Sequence, residues 1–220
     1  MLTQKRGVGM KSKERSKRIY CAFVKRCLDI VFSFVLLLFL SPLIFLLMVI
    51  IRSESEGGAI FKQRRVGRGG EVFVCYKLRT MYIHAPAHST AAELCDREKY
   101  ITHTGRFLRR TSLDELPQLY NVLKGNMSLI GPRPLICEEE NIHRERMSKG
   151  VYALRPGITG MAQISGRNCQ SDEQKLASDE YYLENVRLLL DVRILALTLI
   201  RVALGDGVIP EVGGADKALK

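Results

Sequence analysis

The sequence predicts an α+β fold that is mostly helical and carries one small β-hairpin. Three observations support this prediction: an uncharged apolar run of 22 residues from Ile30 to Ile51, two short stretches of alternating side chains joined by a glycine-rich turn, and several segments with helical periodicity. We expect a re-entrant membrane hairpin of the helix-break-helix type, packed on a compact cytoplasmic domain with amphipathic interfacial helices. The predicted order is a basic N-terminal segment (1–24), the membrane hairpin (25–52), the cytoplasmic domain (53–204) and a C-terminal tail (205–220).

The net charge of +11 indicates an anionic partner. Residues 5–18 alone hold seven Lys or Arg against one Glu. Nucleic acid, an anionic membrane surface and phosphorylated small molecules all suit such a charge. The six cysteines form no CxxC pair and no zinc-like spacing with the four histidines. This pattern argues against a structural metal site and is typical of a protein in a reducing cytoplasm.

The apolar run is long enough to enter a membrane. It is too long for a signal peptide, and the rest of the chain is too short to surround it as a core helix. A straight span and a re-entrant hairpin both remain open. Pro42, near the midpoint, leaves the Leu38 carbonyl without its usual donor, and the Ser41 hydroxyl can satisfy that carbonyl. Basic residues flank the run on both sides, and only a hairpin keeps both flanks in the cytoplasm, so the charges favour the hairpin.

The two alternating stretches predict a β-hairpin. They cover residues 59–66 and 71–80 and are joined by Gly67-Arg68-Gly69-Gly70. In the second stretch, Lys77 and Arg79 fall on the same face. These two cations are candidates for binding an anion, and a strand with a solvated basic edge is the alternative.

The pair Asp114-Glu115 lies within a helical segment, residues 106–124, that Pro117 divides into two pieces. Ser112 and Glu115 have the spacing of a capping box, although a helix counted from that cap places Pro117 too deep. A helix that starts at Asp114 places Pro117 in the first turn, where its missing donor does no harm. In either register the two carboxylates lie near a helix N-terminus. The helix dipole there lowers carboxylate pKa values and favours an incoming phosphate.

Other arginines lie in rigid or glycine-rich loops. In Gly131-Pro132-Arg133-Pro134 two prolines hold Arg133, which lowers the entropy cost of binding a phosphate with its planar fork; an exposed connector is the alternative. The turn-rich stretch 155–168 offers backbone donors to an anion or a nucleobase. Residues 138–149 predict a charged, solvated helix without evident chemistry. The segment from Tyr181 to Leu204 predicts an amphipathic helix that lies against the membrane.

These side chains favour phosphoryl transfer over acyl transfer. No Ser-His-Asp set is evident and no cysteine has a paired base, so the carboxylates are the best candidates for nucleophile and metal ligand. Phosphoryl transfer needs in-line positioning, a divalent ion and cationic groups that stabilise the spreading charge. A membrane element would bring a lipid-borne phosphate to the same site.

Several sequence strings resemble the bacterial sugar transferases, the monotopic phosphoglycosyl transferases of lipopolysaccharide, capsule and protein-glycosylation pathways. The resemblance runs from about Lys25 to Leu204, and the motif positions show no departure. The strings are KRCLD (25–29), the SP pair (41–42), YKLRTM (76–81), RRTSLDELPQLYNVLKGNMSLIGPRP (109–134), PGITGMAQISGRN (156–168) and LDVRIL (190–195). The multi-span N-terminal region of the long members is absent, so the chain resembles the small class that consists of the catalytic core.

The resemblance implies a reaction between a soluble donor and a lipid acceptor. Such enzymes transfer a phospho-sugar from a UDP-sugar to a polyprenyl phosphate, typically undecaprenyl phosphate, and release UMP. They act at the cytoplasmic face of the bacterial inner membrane, in the first membrane step of glycoconjugate assembly. The implied cofactor is Mg²⁺, and anionic membrane lipids are implied partners. The sequence names neither the sugar nor the oligomeric state, and a homodimer stays open.

The resemblance also implies roles for individual residues. Asp114 is the nucleophile that carries a covalent phosphosugar, and Glu115 holds the metal or orients the attack, so both are candidate Mg²⁺ ligands. The substrate phosphates are expected to contact Lys77 and Arg133, with Arg79 as a further candidate. The remaining assignments are Ser41 and Pro42 at the break of the re-entrant helix and Asp191 as a supporting residue near the site.

Two other functions compete with this interpretation. A membrane-tethered nucleic-acid-binding module would use the net positive charge, but the basic clusters do not alternate with stacking aromatics and no nucleic-acid fold motif appears, so we expect no nucleic-acid partner. A non-catalytic scaffold for glycan assembly would tolerate substitution of the carboxylates.

Overall fold

The computed structural model describes residues 20–85, 99–165 and 170–204, which form a mostly helical fold with two small two-stranded sheets. Predictions for the basic segment up to residue 19, for residues 166–169 of the turn-rich stretch and for the tail 205–220 lie outside the described residues. The helices are α1 Lys25–Glu54, α2 His103–Thr111, α3 Gln118–Lys124, α4 Glu140–Ser148, α5 Met161–Ser165, α6 Asp172–Asn185 and α7 Leu188–Ala203. The strands are β1 Ile60–Val66, β2 Val72–Leu78, β3 Ser128–Ile130 and β4 Gly157–Thr159.

Helix α1 contains the whole apolar run. Within the described parts of the chain it is the one helix long and apolar enough to cross a membrane. Only 11% of its most apolar 18-residue stretch is buried, so it is not a core helix. Pro42 lies inside a single continuous helix, so the predicted helix-break-helix form is not confirmed. The Ser41 hydroxyl donates to the Leu38 carbonyl at 2.9 Å, which is the compensation expected for the donor that Pro42 lacks.

Both ends of α1 contact the rest of the protein. At the N-terminal end the Arg26 guanidinium donates to the carbonyls of Val122 and Leu123 at the end of α3, at 2.7 and 3.1 Å. The Asp29 carboxylate accepts from the Leu129 amide at 3.0 Å. At the C-terminal end, buried side chains pack together in a cluster formed by Leu47, Ile51, Ala59, Leu78 and Leu108.

The predicted β-hairpin is confirmed. Strands β1 and β2 pair antiparallel from Ile60 opposite Leu78 to Val66 opposite Val72. The connecting turn places Gly69 and Gly70 at φ of 70° and 81°, a region that glycine enters at no steric cost.

A second sheet, which the sequence did not predict, joins two distant loops. Strands β3 and β4 are short and parallel. At their ends the Gly131 amide donates to the Thr159 carbonyl and the Gly157 amide to the Pro132 carbonyl, both at 2.9 Å. A Cβ atom at Gly157 would lie 2.1 Å from the Gly131 nitrogen, so this approach requires glycine. The sheet therefore fixes the Arg133 loop against the turn-rich stretch.

The segment around the Asp114-Glu115 pair is divided as predicted, but its caps differ. Helix α2 ends at Thr111, a 3₁₀ turn covers Leu113–Glu115, and α3 begins at Gln118 after Pro117. The predicted capping box is wrong, because the Ser112 side chain makes no capping hydrogen bond. Ser112 instead ends α2 in the left-handed conformation, with φ of 58°.

The C-terminal helices surround the second sheet. The predicted single helix from Tyr181 to Leu204 is wrong, because an extended Arg187 separates α6 from α7. Helix α7 is amphipathic as predicted. Ile194 is fully buried against Ile130 and Tyr182, whereas Leu189 and Leu199 are more than 60% exposed.

Candidate active site

Glu115 is the point at which three separate elements meet. The Lys77 ammonium on β2 lies 2.6 Å from Glu115 Oε1, and the Arg133 guanidinium in the loop after β3 lies 3.8 Å from the same oxygen. The side chain of Glu115 is 17% exposed and that of Lys77 is 20% exposed, so this ion pair is largely shielded from water. The structure therefore brings together three of the residues that the sequence singled out.

Lys77 reaches Glu115 because it lies on the inner face of β2. Phe73 and Cys75, on the same face, are buried, whereas Val72 and Val74 on the opposite face are exposed. The predicted alternative of a solvated basic edge therefore does not apply to Lys77.

A fully buried asparagine in α3 holds β2 against the turn. The Asn121 amide donates to the Val74 carbonyl at 2.7 Å and accepts from the Tyr76 amide at 3.1 Å. These two bonds satisfy backbone groups on the edge of β2 that does not pair with β1. Sequence reasoning missed this residue, because an Asn in a helix carries no sign of a partner 47 residues away.

Arg133 is held through its backbone by a buried ion pair. The Arg146 guanidinium in α4 donates to the Arg133 carbonyl at 2.8 Å and to Asp179 Oδ2 in α6 at 2.5 Å. The side chains of Arg146 and Asp179 are each 2% exposed. Burial raises the pKa of Asp179 to about 6, although Arg146 opposes that shift.

The prediction of a solvated α4 without evident chemistry is therefore wrong at Arg146. The available signal was the four-residue spacing from Ile142, which places both side chains on the inner face of the helix.

Asp114 lies next to Glu115 in the same 3₁₀ turn. Burial raises the pKa of the Asp114 carboxyl, the negative charge of Glu115 adds to that shift, and Lys77 and Arg109 oppose it. The predicted lowering by a helix dipole is wrong in net direction, because α3 starts only at Gln118 and desolvation dominates. Lys77 and Arg109 therefore favour the ionised form of Asp114 against the effect of burial.

Among the described residues, Ser112 is the only one other than glycine that has a positive φ. It lies two positions before Asp114. Such backbone strain persists only where the surrounding structure holds it, and it is frequent at active sites.

Arg79 does not join the site. Its side chain is buried, and its guanidinium donates to the Glu56 carbonyl, to the Ser55 carbonyl at 2.7 Å and to the Ile51 carbonyl at 3.4 Å. These carbonyls belong to the C-terminal end of α1 and the turn after it, so Arg79 caps that helix. Its predicted contact with a substrate phosphate lacks support here, because the strand ends at Leu78 and turns Arg79 toward α1.

Asp191 anchors the start of α1 rather than the carboxylate pair. It is buried and accepts from the Lys25 ammonium at 2.6 Å, the Tyr20 hydroxyl at 2.7 Å and the Tyr182 hydroxyl at 2.6 Å. Ser41 and Pro42 lie in the middle of α1. The structure thus groups Lys77, Asp114, Glu115 and Arg133. It places Arg79 and Asp191 at the two ends of the apolar helix, and Ser41 and Pro42 at its centre.

An open cavity of about 140 Å³ extends from Glu115 and Arg133 to the surface of α1 and α7. It reaches Glu115 and not Asp114 itself. The cavity is also lined by Gln163, whose buried amide oxygen has no partner among the described residues. The other walls are mainly apolar, and they are formed by Leu36, Leu40, Leu116, Leu119, Ile158, Ile164 and Val202, with Ser112, Thr159, Thr198 and Arg201 as further polar members.

The donor set of the pair suits a hard divalent cation. Across the described residues, no group of three or more His, Cys, Asp or Glu side chains could hold a metal ion. Two adjacent carboxylates nevertheless match Mg²⁺, which usually takes one or two carboxylate oxygens and completes its shell with water and substrate phosphates.

Comparison with known proteins gives evidence on the family of the chain that does not depend on the geometry of the site. The family model described as bacterial sugar transferase matches residues 20–205. The uncharacterised sugar transferase EpsL of Bacillus subtilis is 39% identical over 185 residues, covering 84% of this chain and 90% of that protein. The undecaprenyl-phosphate galactose phosphotransferase of Salmonella typhimurium is 39% identical over 199 residues, covering 84% of this chain and 41% of that protein.

A third relative is the UDP-glucose:undecaprenyl-phosphate glucose-1-phosphate transferase of Xanthomonas campestris pv. campestris. It is 37% identical over 191 residues, which cover 83% of this chain and 39% of that protein. The chain thus spans most of EpsL and about two fifths of the other two relatives. The match to the family model over most of its length shows that this chain belongs to the bacterial sugar transferase family.

Proposed function

We propose that the chain is a phosphoglycosyl transferase that moves a phospho-sugar from a UDP-sugar to undecaprenyl phosphate. The products are undecaprenyl diphosphate-sugar and UMP. One observation carries the proposal: Glu115, beside the half-buried Asp114, pairs with Lys77 and Arg133 and lines a cavity whose apolar walls include α1. The names of the Salmonella and Xanthomonas relatives support the same class of reaction.

In the first half-reaction, a carboxylate oxygen of Asp114 attacks the phosphorus that carries the sugar. The phosphorus–oxygen bond to UMP breaks, and its electron pair leaves with UMP. Lys77 and Arg133 stabilise the negative charge that spreads over the phosphate oxygens. Glu115 orients these two cations, since both lie within 4 Å of its Oε1 atom.

In the second half-reaction, a phosphate oxygen of undecaprenyl phosphate attacks the same phosphorus. The bond to Asp114 breaks, and the carboxylate is regenerated. Because both displacements occur at the same phosphorus, the bond to UMP is broken before the lipid phosphate attacks. The covalent phosphosugar on Asp114 is therefore the intermediate to look for.

Asp114 and Glu115 are the residues that would hold Mg²⁺. When bound, Mg²⁺ would neutralise the diphosphate oxygens of the donor. Since Lys77 and Arg133 already approach Glu115, the site presents both cationic side chains and carboxylate oxygens to the same diphosphate.

We infer that α1 enters and leaves the membrane on the cytoplasmic side. A straight helix of 30 residues is about 45 Å long, enough to cross a bilayer. Lys25 and Arg26 at one end contact α7 and α3, while Leu47 and Ile51 at the other end pack in the core. Contacts at both ends with the same cytoplasmic domain support the re-entrant arrangement at the inner membrane, and the basic flanks support contact with anionic lipids.

The reaction is tested by UMP release from a panel of UDP-sugars with Mg²⁺ and undecaprenyl phosphate. We expect release with at least one sugar and its loss in Asp114→Asn. Asp172→Asn, which removes an exposed carboxylate of α6, is the matched control. Intact-protein mass spectrometry should detect the phosphosugar adduct in the wild type and not in Asp114→Asn. Undiminished release in Asp114→Asn would exclude the assigned nucleophile.

The topology is tested by cysteine labelling in intact cells. One cysteine is introduced within residues 1–19 and another at Ser53, beyond the apolar run. We expect both to resist an impermeant thiol reagent applied from the periplasm and to react after the membrane is opened. Labelling of the N-terminal cysteine in intact cells would contradict the re-entrant arrangement.

A further inference from the structure

Arg201 is a cation in an unusual place on α7. The helix carries exposed apolar residues over most of its outer surface, and Arg201 lies in its last turn. There the guanidinium is partly buried and lines the cavity that contains Glu115 and Arg133. Burying a guanidinium beside apolar walls costs free energy unless an anion or several acceptors pair with it.

The described residues use little of the hydrogen-bonding capacity of this guanidinium. In the described part of the chain, its hydrogen bond is a long one of 3.4 Å from Nη1 to the Gln163 carbonyl. A guanidinium has five N–H donors, so most of its capacity is open to a ligand. A snorkelling arginine that only interacts with the helix C-terminus would not need to line the cavity.

The charge and the walls of the cavity define the ligand that it would accept. Two guanidinium groups, Arg133 and Arg201, and one carboxylate, Glu115, line the cavity, and that carboxylate already lies 2.6 Å from Lys77. The charged side chains that line the cavity thus carry a net positive charge. Leu36 and Leu40 of the apolar helix and Val202 of α7 line it as apolar walls. A ligand with an anionic head and an apolar stem matches both features.

The size of the cavity agrees with such a ligand. A cavity of about 150 Å³ accommodates a molecule the size of benzene, so about 140 Å³ is enough for one small group such as a phosphate. The cavity is open toward α1 and α7, so the first isoprene unit can extend from the phosphate along that opening.

We infer that this cavity binds the phosphate and the first isoprene unit of the polyprenyl phosphate acceptor, with Arg201 as a phosphate ligand. The inference rests on the proposed function and adds where the acceptor lipid binds. The lipid enters along Leu36 and Leu40, and Arg201 and Arg133 hold its phosphate on either side. The donor diphosphate uses Lys77 and Arg133, so Arg201 distinguishes the acceptor from the donor.

The test compares Arg201→Gln with Arg193→Gln, which removes an equal charge two turns earlier on the exposed face of the same helix. For Arg201→Gln we expect the KM for undecaprenyl phosphate to rise about tenfold or more, as for loss of a charge-assisted hydrogen bond. The KM for the UDP-sugar and the burst of UMP formed without acceptor should stay unchanged. Arg201→Lys should recover part of the acceptor affinity. An acceptor KM equal to that of Arg193→Gln, or a rise in the UDP-sugar KM instead, would overturn the inference.

A second measurement uses the wild-type protein and needs neither a folded variant nor turnover. A polyprenyl phosphate with a photoreactive group on its first isoprene unit should label peptides from both α1, around Leu36 and Leu40, and α7, around Val202. Unlabelled undecaprenyl phosphate should compete. Labelling confined to the outer face of α1 or α7 would overturn the inference. Absence of UMP release from every UDP-sugar would instead reject the proposed function, and the labelling result would still decide the location of the lipid.

Discussion

Replacement of Arg146 by methionine is expected to destabilise the protein and to displace the Arg133 loop. The guanidinium of Arg146 links Asp179 at 2.5 Å to the Arg133 carbonyl at 2.8 Å, inside a region where both side chains are 2% exposed. Methionine has a similar length and no charge, so it fills the space but leaves the Asp179 carboxyl without its partner. The variant thus separates the contribution of the charge from that of the packing.

The magnitude follows from the burial of the pair. Removal of one partner of a buried ion pair typically costs about 3–5 kcal/mol, because the remaining charge stays desolvated. For a domain of this size the melting temperature should fall by about 6–20 °C. In Arg146→Met/Asp179→Leu most of that loss should return, since an apolar pair of similar volume replaces the buried ions. The Arg133 carbonyl still lacks its donor in that double variant, so we expect stability to recover more than activity.

The pH dependence gives a check with a defined sign. The pKa of Asp179 is about 6 in the folded protein and lies near 3.9 in an unfolded chain. Without Arg146 the pKa of Asp179 in the folded protein rises further. At pH values between the unfolded pKa and this folded pKa, the folded state therefore binds more protons than the unfolded state. Stability of the variant then falls as pH rises through this window. The deficit relative to wild type should be larger at pH 8 than at pH 5.

The assay is denaturant unfolding of the detergent-solubilised protein at both pH values, together with UMP release. A loss below about 1 kcal/mol at pH 8 would refute the reasoning, because a cost that small is typical of an exposed ion pair. If Arg146→Met loses the same free energy of unfolding at pH 5 and at pH 8, the unpaired Asp179 carboxylate is not the cause of the loss. Activity that returns fully in the double variant would show that the bond to the Arg133 carbonyl does not position that loop.

Three further predictions concern the site and its support. Lys77→Met should slow UMP release at pH 7 at least about tenfold and move the acid limb of the rate profile to higher pH, because Lys77 opposes the raised pKa of Asp114; Lys62→Met, an exposed lysine of β1, should change neither. Arg79→Met should destabilise the fold by about 2–3 kcal/mol, measured by unfolding, without raising the KM for the UDP-sugar. EDTA should abolish UMP release and Mg²⁺ should restore it, with no change in melting temperature; activity that survives EDTA would exclude the metal.

Much of the site could be predicted from the sequence because its chemistry is local along the chain. Asp114 and Glu115 are adjacent, and Arg133 lies between two prolines, so both features are visible without a fold. The alternation of β2 also placed Lys77 on a defined face. The same alternation misplaced Arg79, because the pattern of a strand does not show where the strand ends. Arg79 lies one residue beyond β2 and binds the end of α1 instead.

The sign of the Asp114 pKa shift could not be predicted from local pattern. A helix N-terminus lowers a carboxylate pKa, whereas burial raises it, and the balance depends on atoms distant in sequence. In the folded protein, burial dominates and Lys77 and Arg109 provide the opposing charges. Ser112 shows the same limit. Its spacing to Glu115 matches a capping box, but its backbone is left-handed and ends α2.

The sequence by itself determined the apolar helix, the β-hairpin, the carboxylate pair and the family resemblance, since each depends on composition or on short-range periodicity. Only the tertiary structure decided which charges meet. Arg146 and Asp179 are 33 residues apart and Lys77 and Glu115 are 38 apart, and no local pattern pairs them. The cavity from Glu115 to Leu36, Leu40 and Arg201 likewise exists only after α1 and α7 pack on the domain. Desolvation and pairing of charges are properties of three-dimensional packing, and for that reason they escape a linear pattern.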